Sequence, residues 1–260
     1  MSESRQRWRL VFARDEEARF LSHLDAIKLW ERAFRRGSIP VATSEGFSPR
    51  PRVIFAAPLQ LGMLAEHELA DIFLAERLTS HDLRARLAAG MPRGYRVVEI
   101  HDEWVGAPAL APQLVAADYR MILLGIERGA AEAGVRRLMA AERLPREKRR
   151  DDKAVTYDLR PLLTELRVVD LEGAHPTAAE TEPPAAPLAP APLAPLAPAV
   201  GLWMRLRHSQ DGGSGRAEEV VAALADGLPG GPAAGSTDRP TIEIVQPVRE
   251  RLWLTGELAT

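Results

Sequence analysis

The chain has 260 residues, 46% of them hydrophobic, a formal net charge of −2 and no cysteine. Without thiols it forms no disulfide framework, thiolate nucleophile or cysteine-bound zinc, and it holds no iron–sulfur cluster of its own. No run approaches the roughly 18 apolar residues of a membrane-spanning helix, and the start, Met1-Ser-Glu-Ser-Arg-Gln-Arg, lacks the apolar stretch of a secretory signal, so a cytoplasmic location and no membrane contact are expected.

Residues 7–13 alternate, with Trp8, Leu10 and Phe12 on one face and Arg9 and Val11 on the other, the period of a strand. Ser22, with Asp25 three residues on, is an N-terminal capping arrangement. The helix it opens places Ile27, Trp30 and Phe34 on one face, and Lys28, Arg32, Arg35 and Arg36 mostly on the other. Gly37 supplies the stop. A short extended piece over 39–43 leads to a turn-rich segment, Ser44-Glu-Gly-Phe-Ser-Pro-Arg-Pro51. Strands are expected at 52–56 and 68–75, a helix from Thr79 or Ser80 to Gly90, and a strand at 95–100. This β-α-β-β-α-β order is the ferredoxin-like pattern, an antiparallel sheet with two helices on one face.

After a milder break at 105–117, similar elements return. A strand is expected at 119–124, a helix at 130–142, strand-like pieces at 154–159 and 165–171, a strand at 202–207, a helix at 216–225 and a final strand or hairpin at 241–254. Within this half, Pro and Ala fill seventeen of the twenty-five positions 176–200, a composition that favours polyproline II and cannot build a helix. The expected fold class is α+β. Two tandem ferredoxin-like halves span 6–104 and 118–260, joined by a linker at 105–117. The second is interrupted by a disordered Pro/Ala insert at 173–200. A further loop is expected at 227–240, preceded by a glycine turn, Gly212-Gly-Ser-Gly215.

Charge is unevenly spread. Residues 5–52 hold eleven basic against six acidic residues, and Arg32, Arg35, Arg36, Arg50 and Arg52 share a window with the single acid Glu45. A second cluster comprises Arg143, Arg146, Lys148, Arg149, Arg150 and Lys153. Such patches attract phosphate or an acidic partner, although a solvated face is the commoner reading.

The segment 44–52 is a candidate recognition loop. Gly46 permits a left-handed turn, while Pro49 and Pro51 hold Ser48 and Arg50 extended. Ser44 and Ser48 offer hydroxyls, and Arg50 and Arg52 offer forks suited to phosphate or carboxylate. Phe47 either stacks on a base or plugs the core; spacing leaves both open. His23 is a candidate general base oriented by Asp25, against the simpler reading of Ser22 and Asp25 as a cap and His23 as an exposed first-turn residue. Asp158 and Arg160, two apart, suggest an ion pair or a strand-end turn, with Arg160 a further candidate for binding. The six histidines are scattered, and no metal or cofactor is expected.

Three of these stretches together, Phe20-Leu-Ser-His-Leu-Asp25, Ser44-x-Gly-Phe-Ser-Pro-Arg-Pro51 and Tyr157-Asp-Leu-Arg-Pro161, resemble the radical SAM-linked (radical SAM-associated) protein family, a bacterial domain of unknown function. The resemblance covers most of residues 6–170 and implies a partner rather than a reaction. Members are encoded beside, or fused to, a radical SAM enzyme, whose cluster needs three cysteines that this chain lacks. The expectation is therefore a non-catalytic accessory protein that partners a radical SAM enzyme encoded nearby, in docking or in presenting a substrate such as RNA or a ribosome-related molecule. The alternative is an RNA-binding or RNA-processing tandem ferredoxin-like protein.

Overall fold

A computed structural model describes residues 5–44, 47, 49–150, 153–171, 198–209, 213–228 and 242–259. The Pro/Ala insert and the 227–240 loop fall almost wholly outside these, as do Gly46, Ser48 and Gly212. The chain forms two compact units: Met1–Tyr119 with Arg207–Ser214 and Pro247–Thr260, and Arg120–Leu206 with Gly215–Gln246.

The first unit is built on β1 (Gln6–Arg14), β2 (Val53–Phe55), β3 (Leu64–Leu74) and β4 (Tyr95–Glu103), with helices α1 (His23–Arg36) and α2 (Ser80–Gly90). Strand β1 lies between β3 and β4, antiparallel to both. The far edge of β3 is shared. Its C-terminal half pairs antiparallel with β2 through Ala70 and Ile72. Its N-terminal half pairs in parallel with β11 (Glu243–Leu254), Val248 opposite Leu64. Period-2 alternation sends Trp8, Leu10, Phe12, Ala70 and Ile72 to one face, where Trp30 and Phe34 of α1 and Leu83 and Leu87 of α2 complete a buried core. Val11 and Leu69 go to the other face and pack with Leu110, Leu114, Leu252 and Leu254. Residues 110–117, which read as linker, thus form a helical turn, α3 (Leu110–Gln113), and the start of β5 (Leu114–Leu124).

The two helices approach closely at one end. A Cβ on Gly37 would stand 2.5 Å from the Arg86 carbonyl oxygen, and one on Gly90 2.5 Å from that of Ala33. Burying charge requires pairing, and on the second sheet face Asp71 accepts from both Arg7 and Arg9, with Arg9 Nε at 2.9 Å from the carboxylate.

The remaining elements are α4 (Arg128–Ala140), β6 (Pro145–Arg150), β7 (Lys153–Asp158), β8 (Leu163–Val169), β9 (Ala199–Ser209), β10 (Gly213–Ser214) and α5 (Ala217–Ala225). Strands β8 and β9 are antiparallel, and the strand order here is β11-β5-β9-β8. Helices α4 and α5 meet where a Cβ on Gly134 would clash with the Leu224 side chain at 2.3 Å. Strands β6 and β7 form a separate two-stranded sheet, a hairpin that the basic sequence over 143–153 did not announce.

Candidate functional site

The sequence-predicted residues separate by position. Ser22 caps α1: its oxygen accepts from Asp25 N–H at 3.2 Å, and its hydroxyl donates to the Asp25 carboxylate at 2.7 Å. His23 is the first residue of α1, half-buried, its ring edge-on to Phe55 with centroids 5.6 Å apart. Partial burial lowers its pKa and favours the neutral imidazole. Asp25 serves the cap and lies near Lys28, at 3.9 Å.

Around this cap lies a pocket lined by Phe12, Arg14, His23, Phe55, Glu68 and Tyr95. Arg14 organises its rim. Its guanidinium donates to the carbonyls of Leu21 (3.2 Å), Gln60 (2.6 Å) and Met63 (2.6 Å), tying the turn before α1 to the turn before β3. Burial pulls the Arg14 pKa down, partly opposed by its hydrogen bond to Tyr95. Burial raises the pKa of Tyr95 and keeps its phenol protonated. Deeper in, the Glu68 carboxylate is held by Arg249 of β11. The pocket's charged groups are thus internally satisfied, which suits positioning better than proton transfer.

The two turns that Arg14 joins carry large apolar side chains facing water. Phe20 is 70% exposed, Leu24 67% and Leu61 66%. Backbone bonds lock this corner, with Gly62 N–H donating to the Arg19 carbonyl at 2.8 Å. The Arg19 guanidinium lies over the Phe20 ring at 4.9 Å.

At the opposite end of the same sheet stands the 44–50 loop. Thr43 bridges Pro51, Ser44 N–H donates to the Arg50 carbonyl at 2.8 Å, and Arg50 N–H returns a bond to the Ser44 hydroxyl at 3.1 Å. Phe47 is fully exposed, so it does not plug the core. Arg52 lies over the Phe73 ring, 3.9 Å from its centroid. At the same end of the sheet but on its far margin, Trp104, just past β4, is 77% exposed. Sequence reading missed it because it adjoins the stretch taken as linker; the signal was Gly106, over which the indole folds.

Three of the candidate arginines differ in what they do. Arg35 is exposed on α1. Arg36 donates twice to the Gly90 carbonyl, at 3.1 and 2.7 Å, capping the end of α2. Arg160 donates to the carbonyls of Met139 (3.1 Å), Ala141 (3.1 Å) and Leu163 (2.7 Å). Asp158 ends β7 and accepts from Leu144 and Arg160 N–H, at 2.8 and 3.0 Å. These two bonds hold its pKa below the usual carboxylate value. Asp158 and Arg160 therefore form the strand-end turn that the spacing suggested, closing the base of the β6–β7 hairpin. Among the described residues, no group of histidines and acids is arranged to hold a metal ion, and no helix is long and apolar enough to cross a membrane.

Fold and site together define a mixed α+β protein with an open, mostly antiparallel sheet. The chain belongs to the bacterial family described as "Uncharacterized protein conserved in bacteria (DUF2344)", which matches residues 7–183. No curated protein matches it. Among solved structures it is similar to the "Crystal Structure of an Unknown Protein from Galdieria sulphuraria", at 15% identity over 84% of this chain and 89% of that one. That likeness has a TM-score of 0.22.

Proposed function

We propose that this chain is a non-catalytic accessory protein of the cytoplasm that docks a separately encoded radical SAM enzyme and presents a substrate to it. The observation that carries the reading is the apolar corner of Phe20, Leu24 and Leu61. Exposed apolar groups gathered on a rigid turn mark an interaction surface, and this one coincides with the Phe20–Asp25 motif of the resemblance. The half-buried members of that motif, Leu21 and His23, pack inward against the core and Phe55, while its exposed members are left for a partner. With no cysteine to hold a cluster, the reading leaves the radical chemistry to the other polypeptide.

Co-purification with the radical SAM protein encoded beside it tests the reading. A complex at micromolar concentration, weakened by Phe20→Glu with Leu61→Glu, is expected. No complex with the partner's cluster intact would overturn it.

The tandem ferredoxin-like architecture belongs to the same proposal. The spatial orders β4-β1-β3-β2 and β11-β5-β9-β8 support it. Each places the first strand of a β-α-β-β-α-β set between its fourth and third, with the β6–β7 hairpin as an addition to the second set. The runner-up, an RNA-binding protein on this architecture, draws its support from the exposed aromatic residues at the other end of the first sheet.

A further inference from the structure

The first unit presents two unlike ends, and the one away from the apolar corner has a chemistry of its own. Register defines it. Glu103 of β4 is opposite Arg7 of β1, Arg7 opposite Phe73 of β3, and Ile72 opposite Val53 of β2. Trp104, Arg5, Arg77 and residues 50–52 therefore leave the sheet at the same end, in the lateral order β4, β1, β3, β2. With neighbouring strands about 4.8 Å apart, this end is about 14 Å wide from β4 to β2.

Two exposed aromatic residues, Trp104 and Phe47, stand at its margins, and Trp104 is held in place. The Trp104 ring lies on Gly106, where an added Cβ would come within 2.7 Å of the indole. The Ala107 N–H closes that turn on the Trp104 carbonyl at 2.9 Å. Phe47 is fully exposed, and nearby in sequence Ser44 and Arg50 bond to each other twice. Between and beside them are the exposed arginines Arg5, Arg50, Arg52 and Arg77. Among the described residues, the guanidinium groups of Arg5, Arg50 and Arg77 have no hydrogen-bonding or ion-pair partner. Among the described residues, the acids at this end are largely engaged. Asp102 accepts from Gln6 at 3.1 Å, and Glu103 pairs with Arg9 at 3.4 Å, leaving Glu76 exposed.

We infer that this end binds a short single-stranded nucleic acid. Bases stack on Phe47 and Trp104, while Arg5, Arg50 and Arg77 meet the phosphates. Flat, sequence-tolerant aromatic platforms flanked by unpaired guanidinium groups are the chemistry by which single strands are held. At about 3.4 Å of axial rise per nucleotide when stacked, the width accommodates about four nucleotides. An acidic peptide would use the arginines but has no need of two exposed aromatic rings. The inference deepens the substrate-presenting part of the proposed function by naming the class of substrate and the surface that takes it.

Fluorescence anisotropy of the full chain with 5′-labelled ten-nucleotide oligouridylate and oligothymidylate, at two salt concentrations, is the test. Binding of at least one probe is expected, its affinity falling with salt by about 0.7 log units per log unit of salt for each phosphate contact. Phe47→Ala and Trp104→Ala should each weaken it by about 5- to 150-fold. Arg5→Ala with Arg50→Ala should flatten the salt dependence. Gly106→Ala, which displaces the indole without deleting it, should reproduce part of the Trp104 loss. The two probes together report whether the ribose hydroxyl contributes.

No binding to either probe at about 50 mM salt, aromatic variants that bind like the parent, or equal competition by polyglutamate would each overturn the inference. These variants leave the apolar corner intact and should still co-purify with the enzyme partner. Loss of docking and loss of nucleic-acid binding are therefore read separately.

Discussion

Glu68 of β3 and Arg249 of β11 form a buried two-point ion pair, Arg249 Nε donating to Glu68 Oε1 at 2.6 Å, across 181 positions of sequence. The same guanidinium donates to the carbonyls of Pro58 (3.2 Å) and Ala57 (3.4 Å), so one side chain fixes a strand and a loop. Burial disfavours the charge on Arg249, but Glu68 more than restores it, and its pKa rises. Removing one partner of such a pair leaves an uncompensated buried charge and costs about 3–5 kcal/mol. Glu68→Ala should therefore lower the urea midpoint sharply, whereas Glu68→Leu with Arg249→Met should recover much of the loss. Equal losses in the single and double variants would show that the pair does not act as a unit.

A glycine at the α1–α2 contact and one at the start of α4 predict opposite results from one kind of substitution. Gly90→Ala gains up to about 1 kcal/mol of helix propensity but drives a methyl group into backbone. The expected net destabilisation is about 1–3 kcal/mol. Gly129→Ala, at the start of α4, meets nothing within 4 Å and should stabilise by up to about 1 kcal/mol. Thermal melts of the two variants make the comparison, and a Gly90→Ala protein as stable as the parent would show that the helices can separate without cost.

His23 gives a pH prediction. Its folded pKa lies below the unfolded value of 6.5 because burial disfavours the imidazolium. The unfolded chain then takes up its proton first as pH falls. The stabilisation is complete above 6.5 and is lost as pH drops through the folded pKa. His208, lowered by burial and by Arg249, acts in the same direction. Stability should rise from pH 5 to pH 7.5, less steeply in His23→Phe, and the His23 Cε1 proton should titrate below 6.5 by NMR. Titration at or above that value would contradict the packing against Phe55.

Arg160→Ala should strip three carbonyl partners from the base of the hairpin. A cost of about 1–3 kcal/mol is expected from the carbonyls left unsatisfied, with hydrogen exchange accelerated over β6 and β7 and unchanged in α1. Uniform acceleration across the chain would mean that the clamp serves global rather than local order.

Much of this was legible in the sequence, for physical reasons. Alternation in residues 7–13 and the Ser22–Asp25 cap are local signals, and the helices and strands of the first unit follow from them. Phe47 could not be decided from spacing, because whether a single aromatic in a turn faces inward or outward is set by tertiary packing rather than by its neighbours in sequence. Arg36 and Arg160 looked like ligand-binding groups since a guanidinium that meets backbone carbonyls and one that meets phosphate are identical in sequence. Trp104 and the Glu68–Arg249 pair were hidden for another reason. The first depends on a glycine turn inside an apparent linker, and the second on the parallel pairing of distant strands.

That parallel pairing has a consequence for biosynthesis. The N-terminal half of β3 has no neighbour on its outer edge until β11 has been made. At roughly 5–20 residues per second, the strand and the buried carboxylate of Glu68 wait about 10–40 s for Val248 and Arg249. During that interval the nascent chain carries an open strand edge and an unneutralised acid beside it. The same pairing that buries the charge in the finished protein is therefore among the last contacts the chain can make.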